Sequence, residues 1–277
     1  MVRKYRILSI LLILFTLLLM ACGGTDTSTN TKQNTASASP VTLNVFAAAS
    51  LTESFKDIAT QYKQAHPNVT ITYNFNGSQL LEQQIVNGAS ADIFASADQI
   101  NMKKASDASL VTTSQVFARN KLAVIVPSSN PGKIQALKDL AQKGKKIVVA
   151  APSVPVGKYM LQVLDKMGKS TDYGSSYESA VKGNFVSQEE NVKAIVQKVQ
   201  TGEADAGFVY LTDITQAVSS KVTIIDIPDT LNVIAEYPIA VTKDSKYAQD
   251  AQAFIDFVLS TQGQAILTRY HFISVNS

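Results

Sequence analysis

Four short stretches put small or capping residues where an apolar strand gives way to a helix. They are Ala47-Ala48-Ala49-Ser50, Phe75-Asn76-Gly77-Ser78, Ser153-Val154-Pro155-Val156-Gly157 and Ser187-Gln188-Glu189-Glu190-Asn191. The first N–H groups of a helix have no intrahelical acceptor and carry partial positive charge, so each start can hold an anion. Several starts aimed at one cleft would hold an anion without any Lys or Arg. Ser50 is equally an ordinary N-cap, opening the capping box Ser50-Leu51-Thr52-Glu53, and capping preference alone favours that role. Ser78 likewise fits ordinary Asn-Gly-Ser turn chemistry. Glu53 counts against an anion at the first start unless its carboxylate folds away. Tyr210 ends the apolar strand Gly207-Phe208-Val209-Tyr210 and reads as a core residue or as a hydroxyl at the strand's carboxyl end. Asp213 reads as the N-cap of the helix that follows.

Other chemistry has little to work with. There is no G-x-S-x-G elbow, no GxxxxGK[ST] loop, no HExxH and no EF-hand loop. One Cys and two His leave no material for a thiolate or imidazole metal cage or a disulfide framework. His66 precedes Pro67 at a helix end and reads as a surface C-cap; His271 has no visible partner. Of the 25 basic residues, three are Arg3, Lys4 and Arg6, and the remaining 22 match the 22 acidic ones. The body therefore lacks the basic excess that phosphate-neutralising nucleic-acid binders need. Nucleophilic catalysis would require a Ser-Lys pair, with Lys158 the nearest candidate base.

The positioning elements follow from periodicity. Val41 to Phe46 and Val69 to Phe75 alternate as strands, and Phe55, Ile58, Ala59 and Tyr62 carry a helix from about 51 to Pro67. A helix with Leu80, Leu81 and Ile85 stops at Gly88, a short buried strand covers Asp92 to Ala95, and another helix begins near Asp98. Lys121 to Pro127 is a continuous apolar run, as in a strand buried on both faces. A second alternation follows: strand 147–151, helix 156–167, a strand near Phe185, helix 191–200 and strand 206–210. An apolar strand at 237–241 precedes two C-terminal helices. The class is α/β, with two units joined by two crossover strands and a cleft between the lobes. Of the 277 residues, the body divides as 40–118 plus 237–277 for lobe 1 and 119–236 for lobe 2.

The chain opens with an address. After the three cations, the apolar run Ile7–Met20 spans about 21 Å as a helix, short of the roughly 30 Å hydrocarbon core. It ends in Leu19-Met20-Ala21-Cys22, so residues 1–21 read as a secretory signal peptide with Cys22 right after the cut. Residues 22–39 carry no core-building side chain and read as a flexible tether.

Taken together, the blocks VFAAASLTESFKDIATQY (45–62), FNGSQLLEQQIVNGASADIFASAD (75–98), PSVPVGKY (152–159), ENVKAIVQKV (190–199), GFVYLTD (207–213) and EYPIAV (236–241) resemble the bacterial molybdate-binding receptors of ABC transporters. The resemblance continues to RYHF (269–272) and covers nearly the whole body. Cys22 with the residues before it resembles a lipobox. The resemblance implies a two-lobed type II periplasmic-binding-protein fold and a tetrahedral dianion, molybdate or tungstate, held by neutral donors. Block by block it implies that Ser50 and Ser78 donate through hydroxyl and backbone N–H, Val156 and Val192 through backbone N–H, and Tyr210 through its hydroxyl. The Val192 role could fall one residue earlier, on Asn191. It further implies no bare metal cation, no cofactor and no catalysis. The receptor would be a monomer, lipid-anchored through Cys22 outside the cytoplasm, with an ABC permease as partner. A sulfate or other oxyanion receptor, and a Ser-Lys hydrolase on a binding-protein fold, are the alternatives.

Overall fold

The computed structural model describes residues 39–275. Residues 1–21, read above as a signal peptide, Cys22 and all but the last residue of the expected tether lie outside the described residues. Two mixed five-stranded sheets, each flanked by helices, form the body. The first takes β1 (Val41–Ala48), β2 (Val69–Asn76), β3 (Ile93–Ala95), β4 (Gln115–Asn120) and β10 (Ala235–Val241), in the order β2-β1-β3-β10-β4. The second takes β5 (Leu122–Pro127), β6 (Ile147–Ala150), β7 (Phe185–Glu189), β8 (Ala206–Tyr210) and β9 (Val222–Asp226), in the order β7-β6-β8-β5-β9. In each sheet three strands run parallel and an antiparallel strand is inserted beside the third. The topology thus repeats although no sequence repeat is evident.

The inserted strands are the products of the two crossovers. Lys121 alone separates β4 in the first sheet from β5 in the second. The return, from β9 to β10, passes through residues 227–234. β5 is buried along its whole length, as its unbroken apolar run predicts. β4 and β9 were not legible as strands. The first mixes polar with apolar residues, and the second is a largely exposed edge.

Helices close each parallel segment. They are α1 (Thr52–Ala65), α2 (Ser78–Val86), α3 (Gln99–Asp107), α4 (Pro155–Lys169), α5 (Tyr177–Lys182), α6 (Val192–Gln200), α7 (Gln216–Ser219), α8 (Ala248–Leu259) and α9 (Thr261–Arg269). The apolar stripe of α6 (Val192, Ile195, Val196, Val199) is buried as its spacing requires. Among the described residues no helix is long and apolar enough to cross a membrane.

Local packing aims two starts of the second sheet. A Cβ on Gly157 would lie 2.3 Å from the Ala151 carbonyl oxygen and 2.5 Å from that of Ala150. Only glycine lets α4 begin this close to the end of β6, and Pro155 presets the first helical φ. A Cβ on Gly207 would meet the Ile195 side chain at 2.5 Å, so β8 carries α6 at equally close range.

Candidate functional site

The four strand-to-helix junctions converge. One small cavity is lined by Ala48 to Ser50, Asn76 to Ser78, Ala97, Val154 to Val156, Asn191, Val192 and Tyr210. All five expected site residues, Ser50, Ser78, Val156, Val192 and Tyr210, stand on its wall, each at most 4% exposed. No lining residue carries a formal charge. Measured to the centre of a water-sized sphere, the cavity holds about 20 Å³. About 10–15 Å³ by that measure admits one water. The space suits a compact ion and is far below the few hundred Å³ of a typical organic-ligand pocket.

Ser50 departs from its capping role. The chain makes a 3₁₀ turn at Ala49–Leu51 before α1, whose N-cap is Leu51, and neither start has a side-chain cap. The capping box 50–53 therefore does not form. Ser50 Oγ instead lies 3.0 Å from Tyr237 Oη, a buried residue 187 positions away. Glu53 does fold away from the start: its carboxylate receives Lys193 Nζ at 2.8 Å.

Ser78 is the first residue of α2, and Gly77 is the cap. The Ala97 N–H donates to Ser78 Oγ at 2.9 Å. Val156 is the second residue of α4, where no intrahelical acceptor awaits its N–H. Asn191 caps α6, its Oδ1 accepting the Ala194 N–H at 3.2 Å, and Val192 is the first helical residue.

Tyr210 is 1% exposed and its hydroxyl has no protein partner. Burial holds its phenol well above the ordinary range, with the neighbouring Tyr237 adding to the effect, so it stays protonated and can donate. A buried polar group without a partner costs about 1–3 kcal/mol, and such groups in native proteins call for an explanation. Here the explanation is the cavity it faces.

Asp213 is not the N-cap of the following helix; Thr215 holds that position. The Asp213 carboxylate is fully buried, accepts the Tyr210 N–H at 3.2 Å and lies 3.4 Å from Lys193 Nζ. Burial raises its pKa to about 6, against the opposing pull of Lys193. A folded-state value above the unfolded one means stability that is present at low pH and lost as pH rises. Relative to Asp213→Asn, the unaltered protein should therefore lose unfolding temperature between about pH 4 and pH 6. Parallel melting curves across that window would refute the shift.

Sequence reasoning missed how the two halves of the molecule touch. Gln79 Nε2 donates to the Glu190 carbonyl at 2.9 Å, and Asn191 Nδ2 reaches Asn76 Oδ1 at 3.4 Å. With Lys193–Glu53, these contacts join residues of β2, α1 and α2 to residues around α6. A Cβ on Gly77 would lie 2.3 Å from the Glu190 oxygen, so the approach leaves room for hydrogen only. Lys158 Nζ lies 3.9 Å from buried Asp98 and does not line the cavity. None of these partners is visible in periodicity, because each pairs residues far apart in the chain.

Comparisons with known proteins agree with this architecture. Residues 43–273 match the family model described as bacterial extracellular solute-binding protein. The molybdate-binding protein ModA of Mycobacterium tuberculosis is 35% identical over 255 residues, covering 92% of this chain and 92% of that one. Among solved structures, the periplasmic molybdate-binding protein of Azotobacter vinelandii superposes with a TM-score of 0.72 at 23% identity, over 83% of this chain and 98% of that one. The sulfate-binding protein SubI of M. tuberculosis reaches 0.75 at 16% identity, over 85% and 88%. Those two likenesses speak for the two-lobed periplasmic-binding-protein fold alone. The family match and the ModA identity go further: this chain belongs to the bacterial extracellular solute-binding proteins, in the group that includes the molybdate-binding proteins ModA.

Proposed function

We propose that the protein is an extracytoplasmic receptor that closes on molybdate or tungstate and delivers it to an ABC importer. The observation that carries the reading is a charge-free cavity, ringed by four helix starts, with the unpartnered Tyr210 hydroxyl facing it. In this reading Ser50 and Ser78 donate through hydroxyl and N–H, Val156 and Val192 through N–H, and Tyr210 through its hydroxyl. Donors alone suit a fully deprotonated tetrahedral oxyanion. Hydrogen phosphate would bring a proton with no acceptor to meet it, at a cost of about 1–3 kcal/mol. Metal–oxygen bonds longer than the sulfur–oxygen bonds of sulfate would let molybdate and tungstate fill the cavity more fully.

The lobes that close are residues 40–118 with 237–277, and 119–236. Ligand favours the closed state because only there do donors from both lobes reach it. Cys22 anchors the receptor by lipid, and residues 22–39 let it turn toward its permease. It acts as a monomer without cofactor or catalysis. Pairing of Lys158 with Asp98 supports the non-enzymatic reading, because the candidate base is engaged by a carboxylate and does not line the cavity.

Calorimetric titration with molybdate, tungstate, sulfate and phosphate tests the assignment. One-to-one binding of the first two, at least a hundredfold tighter than the others, is the expected result. Preference for sulfate would overturn the ligand, and no binding of any would overturn the receptor. Tyr210→Phe should cost about 1–1.5 kcal/mol of molybdate affinity with the fold intact, near the lower end for a hydrogen bond to a charged group. Unchanged affinity would return Tyr210 to the core.

A further inference from the structure

Behind Ser50 runs a buried chain of hydrogen bonds whose direction can be worked out from one fixed donor. It starts at the Lys121 backbone N–H, which can only donate, and which lies 2.9 Å from Asn120 Oδ1. That contact orients the Asn120 amide, because swapping its ends would set two donors face to face. Asn120 Nδ2 then has two hydrogens to place. One goes to Thr212 Oγ1 at 2.8 Å and the other to Tyr237 Oη at 3.1 Å. The Tyr237 oxygen is thereby an acceptor from Asn120, and its own proton needs a target. Among the described residues, Ser50 Oγ at 3.0 Å is the one acceptor it reaches. Ser50 consequently accepts from Tyr237, and its single proton is left to point into the cavity.

Every member is buried: Asn120 and Tyr237 are 0% exposed, Ser50 and Thr212 are 3%. Asn120 and Tyr237 also lie off the cavity wall, so water cannot supply them an alternative partner and scramble the order. Ser78 provides an internal parallel. Its oxygen accepts from the Ala97 N–H, a donor that cannot reverse, so its proton too is left for the cavity. One serine is set by a backbone amide directly, and the other through a relay of two side chains.

We infer that Tyr237 and Asn120 are positioning residues that hold the Ser50 hydroxyl as a donor toward the cavity, and so help the site prefer fully deprotonated oxyanions. The inference rests on the receptor reading above and gives a specificity role to two residues that do not line the cavity. A free serine hydroxyl can turn and accept a proton from hydrogen phosphate. One held by Tyr237 would have to leave the tyrosine proton unmet to do so.

The test is a double-mutant cycle on the full chain, with molybdate titration and hydrogen phosphate competition as readouts. Tyr237→Phe alone should weaken molybdate about tenfold, a hydrogen-bond-sized loss. It should also narrow the molybdate-to-phosphate preference by a comparable factor. In the Ser50→Ala background the same change should alter molybdate affinity less than twofold, because nothing remains to orient. A merely structural tyrosine would cost the same factor in both backgrounds and leave the preference alone, and that result overturns the inference. Asn120→Asp provides a second route if Tyr237→Phe does not fold. A carboxylate there still accepts the Lys121 N–H but also accepts from Tyr237, which reverses the relay. It should lower molybdate affinity more than Ser50→Ala does, because its charge also repels the dianion, and the loss should shrink in the Ser50→Ala background by about the share of the hydroxyl donor. An additive cycle for Asn120→Asp overturns the inference as well. Failure of the unaltered chain to bind molybdate overturns the receptor reading and this inference with it; binding with additive cycles overturns the inference alone.

Discussion

Replacing Gly77 with alanine should weaken molybdate binding by about 1–3 kcal/mol, the usual cost of overpacking a close contact. The unfolding temperature of the unliganded protein should barely change. Gly77 sits at φ −60° and ψ 136°, a backbone conformation that alanine adopts freely. Conformational freedom is therefore not the reason for glycine here. The reason is the Glu190 carbonyl oxygen, 2.3 Å from where a Cβ would stand, on the far side of the cleft. The Gln79 amide also crowds that point, but it is the end of a side chain and can swing away. A backbone oxygen at the start of α6 cannot move without shifting Asn191 and Val192, which line the cavity. The added methyl thus penalises the closed arrangement and spares each half by itself. Two experiments read this directly: calorimetric titration with molybdate, and thermal unfolding without it. A large drop in the unliganded melting temperature would mean that Gly77 serves the fold and not the closure.

Ser50→Ala should cost about 1.5–3 kcal/mol of molybdate affinity, the scale for a hydrogen bond to a charged group. Two separate deficits arise here. The anion loses a hydroxyl donor, and the Tyr237 hydroxyl loses the acceptor it reaches at 3.0 Å. The second deficit exists with and without ligand, so it appears as lost stability and cancels from the binding constant. Affinity and melting temperature should both fall, for separate reasons. An affinity change under threefold beside a clear loss of stability would show that Ser50 matters to the core and not to the ligand.

Much of this architecture was legible because strands and helices announce themselves locally. Alternation marked β1 and β2, a continuous apolar run marked β5, and three-and-four spacing marked α1 and α6. The four junctions were legible as potential anion sites for the same reason, since caps and small residues are local signals. What could not be read was which of two local roles a residue plays. Ser50 has the sequence of a capping box, but a 3₁₀ turn carries it past the capping position and toward Tyr237. Asp213 has the look of an N-cap, yet the chain ends a short turn there and buries the carboxylate against Lys193. Tyr237 lay in an apolar strand and Asn120 at the end of an unrecognised one, and 117 positions separate them. The elements follow from short-range periodicity, whereas the polar partnerships follow from how two sheets are placed, and a single chain pattern does not encode that placement.

The absence of formal charge on the cavity wall also bears on how cargo leaves. A lysine or arginine attracts an anion with a force that reaches well beyond contact and weakens slowly with distance. The field of an N–H or O–H dipole fades much faster, and water replaces such donors readily. Once the halves part, the donors of one half alone face a hydrated ion, with no net charge to hold it back. Escape then requires separation and wetting, with no proton transfer and no competing cation. A carrier built this way grips firmly while shut and offers little resistance when pulled open, which suits a protein that must surrender its load at every visit to a transporter.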